Sequence, residues 1–266
     1  YLAIAGLIAW VMRASHSSSL EGEVGLLFRE AGDLALLGVI FWTVYVALEP
    51  YVRKLWPDAL LGWSRLLTGH IRDPRVGRDL LIGIVFGVAL ALIDVGKATI
   101  IPALGFPAPE PRYGFGEELM LGDGSGAFWG ALLESVGAIG GALFAAFGIV
   151  IARLVLRLRW LAILVTMLFL SLTATYDMSE AMPWSLAFPL TSGALLTLVA
   201  IHYGLLSLVV TWFVWGIITA VPMTLQFSHW RADASNWTLA LLVGLTLFGF
   251  YASRAGQPLF GTILKD

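Results

Sequence analysis

The sequence predicts an all-α fold, a bundle of about eight transmembrane helices. Of its 266 residues, 59% are hydrophobic and only 13% are charged, whereas a typical soluble domain has about 25% charged residues. The apolar residues form long blocks, and a block of about 20 residues is what a hydrocarbon core of about 30 Å requires. Barrel strands would need alternating hydrophobicity, which is not seen, so helices are expected.

Eight apolar segments are predicted to be membrane helices. The first one, YLAIAGLIAWVM, has no initiator Met, and its twelve residues would cover only about 18 Å, so we expect that its start is missing. No linker or internal repeat divides the chain, so we expect one transmembrane domain over 1–266. The predicted segments are 1–12, 32–48, 80–101, 127–152, 160–175, 185–201, 205–225 and 237–251.

The basic residues predict the orientation of these helices. Eleven of the sixteen Lys and Arg residues fall on one side: Arg53, Lys54, Arg65, Arg72, Arg75, Arg78, Arg153, Arg157, Arg159, Arg254 and Lys265. Four fall on the other side, namely Arg13, Arg29, Arg112 and Arg231. The positive-inside rule places the first set in the cytoplasm, together with both chain termini.

The long connection 49–79 is predicted to contain a short interfacial helix. Pro57 suits a first helical position. The apolar residues that follow can share one face of a helix, with basic residues nearby for lipid headgroups. This face consists of Leu60, Leu61, Trp63, Leu66 and Leu67.

Three ionisable residues lie inside predicted membrane helices, where a charge is costly and is usually paired or functional. Asp94 and Lys97 are three residues apart on one helix, and Glu134 lies at a similar depth on the next. We expect one polar network. It has three interpretations: a neutralised cluster that joins two helices, a proton or ion path, or a ligand contact.

Small residues recur every four positions in two of these helices, which lets helix backbones approach closely. They are Gly83, Gly87 and Ala91 in one helix, and Gly137, Gly141 and Ala145 in the other. We expect the helices 80–101 and 127–152 to pack together through Gly87 and Gly141. A homodimer seam is the alternative interpretation.

Little in the sequence indicates a cofactor. Cysteine is absent and the four histidines show no ligand spacing, so no metal site is predicted. His202 ends a helix, where it is either an interfacial hydrogen-bonding residue or a ligand to a pigment magnesium. Bound lipid or pigment is compatible with the composition. A net charge of −2 gives no reason to expect nucleic acid.

The connection 49–79 and its flanks also carry a resemblance. The strings ALEPYVR (47–53), WSRLL (63–67) and RDPRVGRDL (72–80) resemble the membrane region that follows the kinase domain in a group of acidobacterial serine/threonine protein kinases. The match is specific over about 45–85. It implies a bacterial inner-membrane domain with a cytoplasmic N-terminus, and no catalytic residue of the kinases is carried over.

Three functions are compatible with these observations, and we expect no enzyme. The first is a non-catalytic membrane domain that anchors, and acts as scaffold or sensor for, a cytoplasmic region upstream. The second is an accessory subunit of a larger membrane complex, such as a photosynthetic reaction centre, in contact with pigments, lipids and other subunits. The third is a transporter, although no matched pair of broken helices is seen.

Overall fold

A computed structural model describes residues 11, 18–55, 57–107, 124–156, 158–172, 183–221, 223–224, 228 and 232–254. Over these residues the chain is helical and contains no strand. The α-helices are α1 (Leu20–Leu55), α2 (Leu61–Leu67), α3 (Pro74–Ala103), α4 (Gly124–Val155), α5 (Arg159–Leu172), α6 (Ala187–His202), α7 (Leu205–Ala220) and α8 (Ala232–Ser253). Short 3₁₀ turns at Pro57–Leu60 and Pro183–Leu186 precede α2 and α6.

Four of the described helices are long and apolar enough to cross a membrane: α1, α3, α4 and α8. The helices α5, α6 and α7 are apolar but have only 14, 16 and 16 residues, which gives lengths of about 21–24 Å. Seven of the eight predicted segments thus correspond to helices, and the prediction of an all-helical chain is confirmed for the described residues. The segment 1–12 lies outside them except for Val11.

The helix predicted in the connection 49–79 is present as the turn Pro57–Leu60 followed by α2. Leu60 and Trp63 are buried within the protein, whereas Leu67 is exposed. Its position at a membrane interface stays a prediction.

Helix α7 occupies the centre of the described bundle. It makes its most extensive contacts with α3 and α4, and it also contacts α2, α6 and α8. Leu208, Val214 and Trp215 are almost completely buried. The core is therefore built around a helix that is apolar on every side, as expected for a buried helix.

Small residues explain the close contacts of α3, but the predicted partner was wrong. A Cβ atom on Gly83 would lie 2.5 Å from Cβ of Val210, and one on Gly87 would lie 2.6 Å from Cβ of Val214. Both glycines therefore pack directly against α7. Gly141 of α4 also faces α7, where a Cβ would lie 3.1 Å from the Trp212 ring. Helix α7 thus lies between the two helices that were expected to meet.

The sequence pattern could not reveal this arrangement, because a small-residue face shows that a backbone approaches closely but not which one. The fourth predicted packing residue, Gly137, is half-buried in α4.

A tight reversal joins α6 to α7. Gly204 has φ of 90°, a conformation that favours glycine. A Cβ there would also lie 2.5 Å from the carbonyl oxygen of Ala59. The α6–α7 reversal therefore packs against the turn that precedes α2, and this contact brings three segments together at one end of the bundle.

Candidate functional site

The charged residues predicted within membrane helices lie at the centre of the bundle. The Trp215 indole Nε1 of α7 donates a hydrogen bond of 2.6 Å to Oδ2 of Asp94 in α3. The other carboxylate oxygen of Asp94 lies 3.8 Å from Nζ of Lys97. Asp94 is thus bound by one neutral donor from α7 and by one cation from its own helix.

Glu134 of α4 reaches the same part of α7. Its side chain is buried, and a Cβ on Gly216 would lie 2.7 Å from its Cδ and still closer to Oε1. Its carboxyl group therefore occupies the space left by the absence of a side chain at Gly216. Asp94 and Glu134 approach neighbouring residues of α7 from two different helices.

Lys97 is buried as well, with only 5% of its surface exposed. Lys97 and Glu134 are thus buried, whereas the Asp94 side chain is 19% exposed, and Asp94 and Glu134 both contact α7. A buried carboxylate requires a partner because desolvation of an unpaired charge costs several kcal/mol. The hydrogen bond from Trp215 to Asp94 therefore joins α7 to α3 and gives this carboxylate a partner.

Trp215 was not among the predicted site residues. Its indole N–H needs an acceptor when it is buried, and it lies in the middle of an apolar segment that contains no charged residue. That combination was a usable signal, because a carboxylate acceptor had to come from another helix. The carboxylates of Asp94 and Glu134 were candidates.

A polar cavity lies at the other end of α3, with a volume of about 560 Å³. Its polar lining comes from the 3₁₀ turn, the first two turns of α3 and the end of α6. Nη1 of Arg75 lies 3.8 Å from Oδ1 of Asp58, and Nη2 of Arg78 lies 3.1 Å from Oδ1 of Asp79. The charged and aromatic lining residues are Asp58, Arg75, Arg78, Asp79, His202 and Tyr203.

His202, a predicted ligand candidate, belongs to this cavity. It is exposed, and its Nδ1 lies 3.2 Å from the carbonyl oxygen of Leu198. In the part of the chain that the structure describes, no three His, Asp or Glu side chains are grouped so that they could hold a metal ion. The neighbours of His202 in the cavity include the arginines and aspartates that line it.

Asp73 ties the short helix α2 to α3 next to this cavity. Its carboxylate accepts a hydrogen bond of 2.8 Å from the Arg75 backbone N–H and forms an ion pair with Arg65. It is thus the N-cap of α3, and Pro74 follows at the first helical position. Partial burial raises the pKa of Asp73. The hydrogen bonds and the nearby arginines together lower it by more, so the net pKa is below its ordinary value of 3.8.

An apolar groove of about 650 Å³ runs between α1, α2, α4 and α7. Trp42, Trp63 and Phe213 are among its lining residues. The groove carries almost no polar surface, which is compatible with contact with lipid.

Comparisons of the chain with protein-family models, with curated proteins and with solved structures found no match. The resemblance to the acidobacterial kinases therefore stays a prediction that rests on residues 45–85.

Proposed function

We propose that this chain is a non-catalytic integral membrane domain that anchors a cytoplasmic region and serves as its scaffold. The central observation is the pairing of Asp94 with both Trp215 and Lys97. A carboxylate held by two partners on packed helices favours a structural cross-link over a path for ions. The resemblance to membrane regions of kinases favours a kinase as the anchored region.

The proposed topology has eight crossings with both termini in the cytoplasm. Helices of 14–16 residues are shorter than a typical hydrocarbon core, so α5, α6 and α7 would require their flanking residues or local thinning of the bilayer. Helix α7 is surrounded by its neighbours, so little of its surface would contact lipid. The mismatch between its short length and the thickness of the hydrocarbon core therefore matters less. In this topology, α2 lies at the cytoplasmic membrane surface.

The experiment is affinity purification of the native protein from its membrane, followed by intact-mass measurement and sequencing of every companion. A polypeptide that continues upstream into a kinase domain supports the anchor function. A substrate-dependent flux in liposomes that disappears in Asp94→Asn would refute it in favour of a transporter.

A second candidate is an accessory subunit of a larger membrane complex. Exposed positions of α1 support it, since Trp42 is 68% exposed and Gly25 and Gly32 have no atom within 4 Å of an added Cβ. Small residues on an open membrane helix let a partner helix approach closely. Stable copurification with other membrane subunits, lost in Gly32→Leu, would distinguish it from the anchor function.

A further inference from the structure

The polar cavity combines two arginines with two carboxylates at one end of the helix bundle. We propose that it binds the zwitterionic phosphoethanolamine headgroup of a phospholipid. In this complex the phosphate contacts Arg75 and Arg78, and the primary ammonium contacts Asp58. The position of the cavity in a headgroup layer rests on the proposed topology, whereas its charge pattern does not.

Arg75 and Arg78 can both present donors to one phosphate. They are three residues apart in α3, so their side chains lie on the same side of the helix. Their side chains are 47% and 61% exposed, so an incoming group can reach them. A guanidinium has five N–H donors and suits planar, two-point recognition of phosphate.

The existing ion pairs leave part of this capacity available. Arg78 uses Nε and Nη2 on Oδ1 of Asp79, at 3.3 and 3.1 Å. The contact between Arg75 and Asp58 is longer, at 3.8 Å, and the Asp58 side chain is 88% exposed. An exposed pair of this kind contributes little stability, so a phosphate can replace Asp58 at Arg75.

The carboxylates differ in their freedom to move. Asp79 is buried and packs against Gly62, where an added Cβ would overlap its carboxylate, so it stays beside Arg78. Asp58 lies near the start of the 3₁₀ turn, and its exposed side chain can rotate towards an ammonium group. The cavity therefore holds one fixed carboxylate and one that can exchange partners.

The charge balance favours a zwitterion over an anion. The two arginines and the two aspartates that line the cavity are equal in number and opposite in sign. A phosphoethanolamine group adds one negative and one positive charge, and each has a partner of opposite sign. An anionic phosphoglycerol headgroup would leave Asp58 beside a new negative charge after it lost Arg75, which is unfavourable.

The test is native mass spectrometry of the full chain, released from detergent and titrated with three phospholipids that share the same acyl chains. Their headgroups are phosphoethanolamine, phosphoglycerol and phosphocholine. We expect the phosphoethanolamine lipid to bind most tightly. Arg75→Gln should weaken it about tenfold, as expected when one hydrogen bond to a charged group is lost.

Asp58→Asn separates a zwitterion site from an anion site. It should weaken the phosphoethanolamine lipid and leave the phosphoglycerol lipid unchanged or slightly tighter. Arg72→Gln is the matched control, because Arg72 is exposed on the same connection and does not line the cavity. Thermal melting verifies that each variant is folded, and the exposed Asp58 carries the test if Arg75→Gln fails to fold.

Equal binding of the three lipids, a phosphoglycerol preference in the wild type, or an equal effect of Arg72→Gln would each overturn the proposal. Soluble phosphoethanolamine, added as a competitor, distinguishes recognition of the headgroup from recognition of the bilayer. The predicted topology can be tested separately by thiol labelling of introduced cysteines. If that labelling contradicted the topology while the competition still occurred, the headgroup site would stand and its cytoplasmic placement would be refuted. Failure of the anchor function, by contrast, would leave all these binding results unchanged.

Discussion

The indole of Trp215 and the carboxylate of Asp94 are joined by a 2.6 Å hydrogen bond across 121 positions of the chain. It links the central helix α7 to α3 in the interior of the bundle. The bond supplies the buried indole with an acceptor and the partly buried carboxylate with a donor. The indole N–H would otherwise be desolvated without a partner, which costs about 1–3 kcal/mol.

Trp215→Phe should destabilise the protein by about 1–3 kcal/mol, because it removes a donor from the partly buried carboxylate of Asp94. Thermal melting in detergent measures the change. The control is Trp237→Phe, at a half-exposed indole in α8, which should change stability by less than about 0.5 kcal/mol. Equal effects of the two substitutions would show that the hydrogen bond is unimportant.

Lys97→Leu should be more harmful than Asp94→Asn at neutral pH. Asparagine keeps an acceptor for Trp215, whereas leucine removes the cation beside Asp94 and leaves this carboxylate with the neutral Trp215 donor but no longer with Lys97, at a cost of about 3 kcal/mol or more. Melting curves of both variants at neutral pH decide this, and the reverse order would contradict a structural network.

Gly87→Ala and Gly244→Ala should have opposite effects. A Cβ on Gly87 would lie 2.6 Å from Val214, whereas a Cβ on Gly244 meets nothing within 4 Å. The first substitution forces α3 and α7 apart and should destabilise by about 1–3 kcal/mol. The second should stabilise by up to about 1 kcal/mol, because alanine favours helix. Chemical denaturation measures both, and a neutral Gly87→Ala would show that the contact is not close.

Asp73→Ala should destabilise the junction of α2 and α3 by about 1 kcal/mol, since it removes the N-cap. Asp73→Ser is the matched control, because it can keep the cap while losing the ion pair with Arg65. Protection of the first turn of α3 from hydrogen exchange should fall in Asp73→Ala and change less in Asp73→Ser. Similar losses in both would assign the effect to the ion pair.

The same carboxylate predicts a pH dependence. Its pKa in the folded protein lies below 3.8, so the folded state binds the proton less readily than the unfolded chain. Its contribution to stability is complete above pH 3.8 and decreases as the pH falls through the lowered folded pKa. Stability measured from pH 5 downwards should fall more steeply in the wild type than in Asp73→Ser, and parallel curves would refute the assignment.

The topology predicts that Thr68 and Asn236 lie on opposite sides of the membrane. Both are exposed, and the chain contains no cysteine, so single cysteines can be introduced at either position without background. A membrane-impermeant thiol reagent applied to intact cells should label Asn236→Cys and spare Thr68→Cys. Labelling of both variants from the same side would refute the predicted orientation.

The positions of the helices could be predicted from hydropathy, but their neighbours could not. Helix α1 begins twelve residues before its predicted apolar segment, because Glu21, Glu23 and Arg29 lower the hydropathy without interrupting the helix. Gly83 and Gly87 indicated a close contact but not α7 as the partner. The polar cavity could not be foreseen, since Asp58, Arg78 and His202 meet only through the reversal at Gly204.

The separation between Asp94 and Trp215 also constrains how the protein is made. At 5–20 residues per second, a ribosome needs roughly 6–24 s to extend the chain by the 121 positions from Asp94 to Trp215. During this interval α3 has left the ribosome before its α7 donor exists. Lys97, three residues from Asp94 on the same helix, can neutralise the carboxylate during that time. The short-range ion pair thus supplies α3 with its own counter-charge during insertion, until the long-range hydrogen bond can form.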